Sequence, residues 1–165
     1  MQTRISGRVW KYGDDVNTDV IFAGKYTYTI TDPKEMARHA LEDLDPTFVQ
    51  NVRPGDIIVA GKNWGCGSSR EQAVVCLKEI GVGAIVARSF ARIYYRNCIN
   101  EALPIVTCDA VDGVETGDEI TIDFAAGTVT TPRGTYTFPP MPPEVIKIIE
   151  AGGLIQYVRQ QLGLP

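Results

Sequence analysis

The loop from Gly61 to Arg70, with the sequence Gly-Lys-Asn-Trp-Gly-Cys-Gly-Ser-Ser-Arg, has the side chains of an anion-binding site. It follows a short apolar run at 56–60, and the apolar positions of residues 71–80 then recur at helical spacing. The first turn of a helix has unpaired backbone N–H groups and a partial positive charge, which together attract a carboxylate or a phosphate. We therefore expect Ser68 or Ser69 to cap this helix, with Arg70 beside the bound anion.

Two phosphate-binding patterns each lack a residue in this loop. A nucleoside-triphosphate loop needs a lysine directly before its serine or threonine, and no lysine precedes Ser68 or Ser69. A dinucleotide fingerprint begins at 65–67, but Arg70 occupies the position of its third glycine. The loop is therefore not predicted to bind a nucleotide.

Arg70 suits a carboxylate better than a lysine would, because its planar guanidinium can donate two parallel hydrogen bonds to one carboxylate. A small dicarboxylic acid is the ligand that this residue favours. Two alternatives stay open on the residues alone. Arg70 forms a surface ion pair with Glu71 or Glu35, or the loop is a glycine-rich turn that binds nothing.

Alternating strands and helices must position this loop. Residues 57–60, 84–87 and 103–106 are apolar runs of strand length, and helical patterns separate them. This alternation predicts parallel strands joined by helical crossovers. Beyond them, residues 120–124 alternate between apolar and polar, and 129–138 is predicted to return as the second strand of a hairpin.

Helix boundaries also have signals in the sequence. Asp32 stands before a proline and predicts a helix from there to about Leu44. Gly81 predicts the end of the helix at 71–80. A further helix is predicted from Glu144 after a proline-rich spacer, with a break at 152–153, where two glycines follow one another.

Charge and hydropathy exclude two classes of partner. The chain has 165 residues and a formal net charge of -4, and its dispersed basic residues form no stripe for a nucleic acid. No apolar run approaches the about 20 residues that a membrane-spanning helix needs, and residues 1–7 contain no apolar signal segment. We expect one domain over residues 1–165, located in the cytoplasm.

Three segments together resemble the aconitase superfamily, specifically the swivelling domain that isopropylmalate dehydratase-type enzymes carry as a separate small subunit. They are the loop at 61–70 with its following glutamate, Val-Trp-Lys-Tyr-Gly-Asp-Asp-Val-Asn-Thr-Asp-Val-Ile at 9–21, and Ala-Arg-Ser-Phe-Ala-Arg-Ile-Tyr-Tyr-Arg-Asn at 87–97. The resemblance covers nearly the whole chain and keeps the family's order. It implies an α/β fold of β/β/α layers, with a mostly parallel central βαβαβ unit and a C-terminal hairpin.

The resemblance also implies roles for the loop residues. Ser68 is expected to be the base that removes or returns a carbon-bound proton, and Gly67, Ser69 and Arg70 are expected to bind substrate. Asp19 is expected to support the acid–base network. On sequence alone, a turn-forming aspartate before a strand explains Asp19 equally well.

The reaction implied by the resemblance is a hydro-lyase reaction, in which dehydration and rehydration move a hydroxyl group between adjacent carbons of a substituted malate. In related enzymes a 4Fe-4S cluster, held by three cysteines of a large subunit, binds the leaving hydroxyl. The four cysteines of this chain form no Cys-x-x-Cys pair, so no metal or cofactor is expected on it. The implied enzyme is a heterodimer or heterotetramer with a cluster-bearing large subunit.

Substrate choice is expected to depend on the segment Lys25, Tyr26, Thr27, Tyr28 and Thr29. Relatives that bind a third carboxylate carry an arginine in this region, and none occurs between Asp19 and Arg38. An alkyl substituent is therefore favoured, which makes isopropylmalate and leucine biosynthesis the first choice. Homoaconitate, bound through Lys25, and dimethylmalate or methylmalate stay open, as does a stand-alone anion sensor without catalysis.

Overall fold

Residues 4–165 are described by the computed structural model, in which seven strands form one mixed sheet. The strands are β1 (Arg4–Lys11), β2 (Ile57–Ala60), β3 (Ala84–Ala87), β4 (Ile105–Thr107), β5 (Glu119–Asp123), β6 (Thr128–Thr131) and β7 (Gly134–Thr137). Their order across the sheet is β4-β3-β2-β1-β5-β6-β7. The single domain expected over 1–165 stays a prediction. Residues 1–7 were expected to contain no signal segment, and the first three of them lie outside the described residues.

Seven α-helices connect or flank these strands in the described chain. They are α1 (Thr18–Ile21), α2 (Pro33–Ala37), α3 (Thr47–Asn51), α4 (Gln72–Ile80), α5 (Arg92–Asn100), α6 (Pro143–Ala151) and α7 (Leu154–Gln161). The glycine signals are confirmed: Gly81 ends α4 at φ 104° and Gly152 ends α6 at φ 96°, conformations that L side chains rarely adopt.

The predicted central βαβαβ unit is confirmed as β2-α4-β3-α5-β4. Its strands pair in parallel, and β1 adds a fourth parallel strand beside β2. All four residues of β2 and of β3 are buried, as parallel strands covered on both faces require.

Alternate residues of these strands enter two separate cores. Ile58 and Ile85 pack on the helix side with Leu77 of α4, whereas Val59 and Val86 pack on the other side. That second core also contains apolar side chains of β5 and β6, so the antiparallel half of the sheet covers the face that the helices leave open. The result is the expected β/β/α layering.

Asp56, directly before β2, joins this strand to β1. Its Oδ2 accepts hydrogen bonds from the Arg8 guanidinium at 3.0 Å, the Trp10 indole at 2.9 Å and the Arg53 backbone N–H at 2.9 Å. Burial opposes ionisation of this carboxyl, but these hydrogen bonds outweigh it and hold its pKa below the usual value. The network lies at the opposite end of β2 from the loop at 61–70.

Two predicted elements differ in the structure. Residues 129–138 are not one strand but β6 and β7, separated by a turn at 132–133, because Pro132 cannot donate to a strand ladder. The helix that Asp32 caps, through an N–H···O bond from Lys34 at 3.2 Å, ends at Ala37 rather than near Leu44. Leu41 is fully buried with φ 56°, so its burial in the core takes precedence over a continued helix.

Candidate active site

The loop at 61–70 lies at the carboxyl end of β2, where ligands bind in open α/β sheets. Backbone hydrogen bonds join it to both other segments that carry the family resemblance. The Gly65 N–H donates to the Val16 carbonyl at 2.8 Å, and the Ala91 N–H donates to the Trp64 carbonyl at 2.9 Å. Three segments that are distant in the sequence therefore form one structural unit.

Gly65 allows the loop to pack against α5. Its φ is 84°, and a Cβ at this position would overlap Cγ of Tyr94. Tyr94 is itself fixed, because its hydroxyl donates to the Ala73 carbonyl of α4 at 2.8 Å. Only glycine satisfies both the backbone conformation and the close approach.

A cavity of about 250 Å³ lies between this loop and the start of α5. The loop side is formed by Gly65, Gly67, Ser68, Ser69 and Arg70, together with Thr18 of α1. The α5 side is formed by Ala91, Arg92, Ile93, Tyr94 and Asn97. The structure thus brings four of the predicted site residues to one cavity and adds a wall that the sequence did not assign to the site.

Ser68 and Ser69 are exposed, and neither hydroxyl is hydrogen-bonded to another residue in 4–165. Their predicted role as helix cap is wrong. Helix α4 begins at Gln72, with Glu71 at the cap position and no side-chain capping bond. The Ser68 carbonyl accepts a bond from the Thr18 hydroxyl at 2.8 Å, so this part of the loop is tied to α1 and the chain becomes helical only later.

Arg70 is paired with Asp19, and not with Glu71 or Glu35. Its Nη1 lies 2.6 Å from Asp19 Oδ1, at an angle outside that of a hydrogen bond, so the contact is an ion pair. Asp19 lies in the first turn of α1, which Asn17 caps, so the interpretation of Asp19 as a turn before a strand is wrong. The Arg70 side chain is 18% exposed, which leaves one part of the guanidinium open to the cavity.

Gly24 connects this ion pair to the segment that follows α1. The Gly24 N–H donates to Asp19 Oδ1 at 3.1 Å. A Cβ on Gly24 would lie 2.6 Å from Arg70 Nη1 and 2.9 Å from Nη2, so a side chain here would displace the guanidinium. The residue directly before the predicted specificity segment is therefore packed against the predicted carboxylate-binding residue.

The side chains of that segment, residues 25–29, do not line the cavity. The Tyr26 hydroxyl donates to Glu42 at 2.9 Å, and the Lys25 ammonium lies 5.1 Å from the centre of the Tyr26 ring. Tyr28 is 94% exposed. Contact of these side chains with substrate stays a prediction.

The cysteines of the chain do not fit the ligand set of an iron–sulfur cluster. Cys76, Cys98 and Cys108 are buried, and burial raises the pKa of each of these thiols, whereas a cluster needs thiolates. No group of three or more His, Cys, Asp or Glu side chains within residues 4–165 is arranged to hold a metal ion. No described helix has the length and apolar character to cross a membrane.

Comparison with known proteins agrees with this geometry. Residues 14–110, which include α1, the loop and the whole of α5, match the family model of the aconitase C-terminal domain. A 3-isopropylmalate dehydratase small subunit from Heliobacterium modesticaldum is 49% identical over 160 residues, which cover 95% of this chain and 96% of that protein. The chain belongs to the family of 3-isopropylmalate dehydratase small subunits. Another small subunit of this family, from Caldicellulosiruptor bescii, is 50% identical over 159 residues, covering 94% of this chain and 95% of that protein.

One solved structure supports the same family. A 3-isopropylmalate dehydratase structure from Methanocaldococcus jannaschii matches with a TM-score of 0.91 and 41% identity, covering 96% of this chain and 95% of that chain. The aconitase X structure from Thermococcus kodakaraensis matches with a TM-score of 0.51 at 16% identity, covering 82% of this chain and 90% of that chain. At 16% identity, the match to aconitase X shows a similar fold and nothing about function.

Sequence analysis did not assign Arg92, Ile93 or Asn97 to the site. All three lie in the segment 87–97, which indicated only a resemblance to the family. The available signal was the position of this segment directly after β3, because the carboxyl ends of neighbouring parallel strands meet at the same edge of a sheet.

Proposed function

We propose that this chain is the small subunit of a hydro-lyase that interconverts 2-isopropylmalate and 3-isopropylmalate by dehydration and rehydration, a step of leucine biosynthesis, in the cytoplasm. The observation that carries the proposal is the cavity in which two unbonded serine hydroxyls and the Arg70 guanidinium meet, in a chain of this family. A substituted malate has the carboxylates for such a site and a carbon-bound proton that must be removed.

Ser68 is the proposed base. An ordinary serine hydroxyl is far too weakly acidic to abstract a proton from carbon unless its alkoxide is stabilised by nearby donors and positive charge. Arg70 lines the same cavity, and the Gly67 N–H makes no hydrogen bond within the described chain. In this proposal, these two groups stabilise the alkoxide of Ser68.

Arg70 is proposed to bind a substrate carboxylate, with Ser69 donating to a substrate oxygen. Asp19 does not touch the cavity, so its proposed part is to orient Arg70 through their ion pair. Because Asp19 is 63% exposed, solvent screens this ion pair and Arg70 retains much of its attraction for an anion.

The elimination also requires a Lewis acid that binds the leaving hydroxyl, and the described cysteines of this chain do not suit the cluster that would supply it. We place the 4Fe-4S cluster, which supplies that chemistry, on a large subunit that joins this chain in a heterodimer or heterotetramer. Closure of this chain over the partner's site would exclude water and bring Ser68 to the substrate. Proton transfer and carboxylate binding are the tasks of this chain.

The test is hydration of isopropylmaleate under anaerobic conditions by this chain mixed with a cluster-loaded large subunit. Ser68→Ala is expected to lower kcat by about 100-fold or more, because a positioned base contributes roughly 10²–10⁴ to the rate. The matched control is Ser6→Ala in β1, since the Ser6 hydroxyl bonds to Thr121 far from the cavity.

Two results would overturn the proposal. One is hydration at the normal rate by the Ser68→Ala enzyme, which would remove Ser68 as the base. The other is a lack of activity in the wild-type mixture with an intact cluster, which would leave a non-catalytic anion-binding module. Preference for homoaconitate over isopropylmaleate would change the substrate but keep the reaction.

A further inference from the structure

The α5 wall of the cavity presents one large apolar side chain that the protein core does not use. Ala91 and Tyr95 pack against the helix-side core, but Ile93 does not belong to that core and is 50% exposed. By contrast, the isoleucines of β2 and β3 are completely buried. Ile93 instead lines the cavity opposite Ser68 and Arg70.

Several of the groups around Ile93 are polar. Arg92 precedes it, is exposed and makes no ion pair within residues 4–165, and Asn97 lies about one turn further along the same helix. Across the cavity stand Arg70 and the two serines. Such a site has cations and hydrogen-bond donors for carboxylates, and Ile93 is its one large aliphatic side chain, beside Ala91 and the ring of Tyr94.

We propose that Ile93 contacts the alkyl substituent of the substrate and sets the preference for its size. This inference rests on the proposed function, since it assigns a further residue to the same site. It adds the first turn of α5 to the predicted specificity segment at 25–29, whose side chains do not line this cavity. A pocket of this kind discriminates between substituents that differ by a methylene group by roughly 10- to 200-fold.

The test compares methyl-, isopropyl- and isobutyl-substituted maleates as substrates of the complete enzyme, with the large subunit in excess. Ile93→Ala is expected to lower kcat/KM for the isopropyl compound relative to the methyl compound by about 10-fold, because the larger group loses the contact. It is expected to raise kcat/KM for the isobutyl compound relative to the isopropyl compound, because the site becomes wider. Ile93→Leu should restore ratios close to those of the wild type.

The ratios separate substrate contact from other effects of the substitution. A lower yield of folded or assembled enzyme changes all three rates equally and leaves the ratios unchanged. Ile155→Ala is the matched control, since Ile155 is an exposed isoleucine of α7 outside the cavity.

Two outcomes would overturn the inference while leaving the proposed function intact. In the first, the wild-type enzyme is active and the ratios of Ile93→Ala equal those of the wild type. In the second, the ratios are unchanged and a separate titration shows that Ile93→Ala only raises the concentration of large subunit that gives half-maximal activity, which would make Ile93 a subunit contact. If the wild-type enzyme hydrates none of the three compounds, the proposed function itself fails.

Discussion

Arg70 meets two requirements through a single ion pair. It must keep a fixed position to bind a carboxylate, and it must retain positive charge towards the cavity. Asp19 holds one nitrogen of the guanidinium at 2.6 Å, and Gly24, which has no side chain, leaves the space that the guanidinium occupies. The residue is positioned by one exposed carboxylate and by the absence of one side chain.

Asp19→Asn is expected to raise KM for isopropylmaleate about 10-fold, with a smaller change in kcat, because Arg70 loses its orienting charge. The free energy of unfolding should change by less than about 1 kcal/mol, since exposed ion pairs contribute little. Steady-state kinetics and urea unfolding measure both effects. Glu35→Gln, which removes the exposed ion pair with Arg38, is the control. An unchanged KM would show that Arg70 needs no help from Asp19.

At the scale of elements, the ends of α4 and α5 place two carboxyl groups together. Glu71 stands at the N-terminus of α4, where the helix dipole favours a negative charge, and Glu101 stands at the C-terminus of α5, where it does not. Burial and a hydrogen bond with Glu71 raise the pKa of Glu101 from 4.5 to about 7, despite Lys78 nearby. Glu101 therefore holds a proton in the folded state that it loses in the unfolded chain.

This difference in proton binding gives stability a defined pH dependence. Between pH 4.5 and pH 7 the folded state binds the extra proton, so the contribution of Glu101 is lost as pH rises through its folded pKa. The wild type should therefore lose unfolding free energy from pH 5 to pH 8, whereas Glu101→Gln lacks this titrating group. The difference between the two proteins should change by about 2 kcal/mol in favour of the variant over this range. Urea unfolding at the two pH values measures this gain. Glu79→Gln, a change at an exposed position of α4, should show none, and equal gains in both variants would contradict the prediction.

At the scale of the whole molecule, the site exists because the sheet brings three distant segments to one edge. Residues 13–18, the loop at 61–70 and the start of α5 meet there, and Gly65 lies at their junction. Its contacts with Tyr94 transmit the position of α5 to the loop. A substitution at Gly65 therefore tests how strongly the site depends on the packing of the parallel half of the sheet with its helices.

Gly65→Ala is expected to lower the free energy of unfolding by about 2–4 kcal/mol and to reduce activity, because the new methyl group overlaps the fixed ring of Tyr94. The matched control is Gly117→Ala. Gly117 has a similar φ of 97°, but a Cβ there meets no atom within 4 Å, so only the backbone cost of about 1 kcal/mol remains. Urea unfolding compares the two variants. Equal losses would show that backbone conformation, and not the contact with Tyr94, makes Gly65 necessary.

Features that depend on neighbouring residues could be predicted from the amino-acid sequence. The buried strands β2 and β3, the helix α4 ended by Gly81, the Asp32 cap and the break at 152–153 follow from apolar spacing and from backbone conformations that only glycine or proline favours. The loop at 61–70 was recognisable for the same reason, since its glycines, serines and arginine stand next to one another. Family membership followed from the order of such local motifs.

Which residues share the site could not be predicted in this way, because it depends on how distant segments pack together. The pairing of Asp19 with Arg70, the wall that α5 contributes and the division of residues 129–138 into two strands depend on contacts between distant positions or on pairing within the sheet. Apolar periodicity shows which face of an element is buried, but it does not show which other element covers that face. The physical reason is that packing free energy belongs to pairs of surfaces, and a single segment of sequence describes only one surface of each pair.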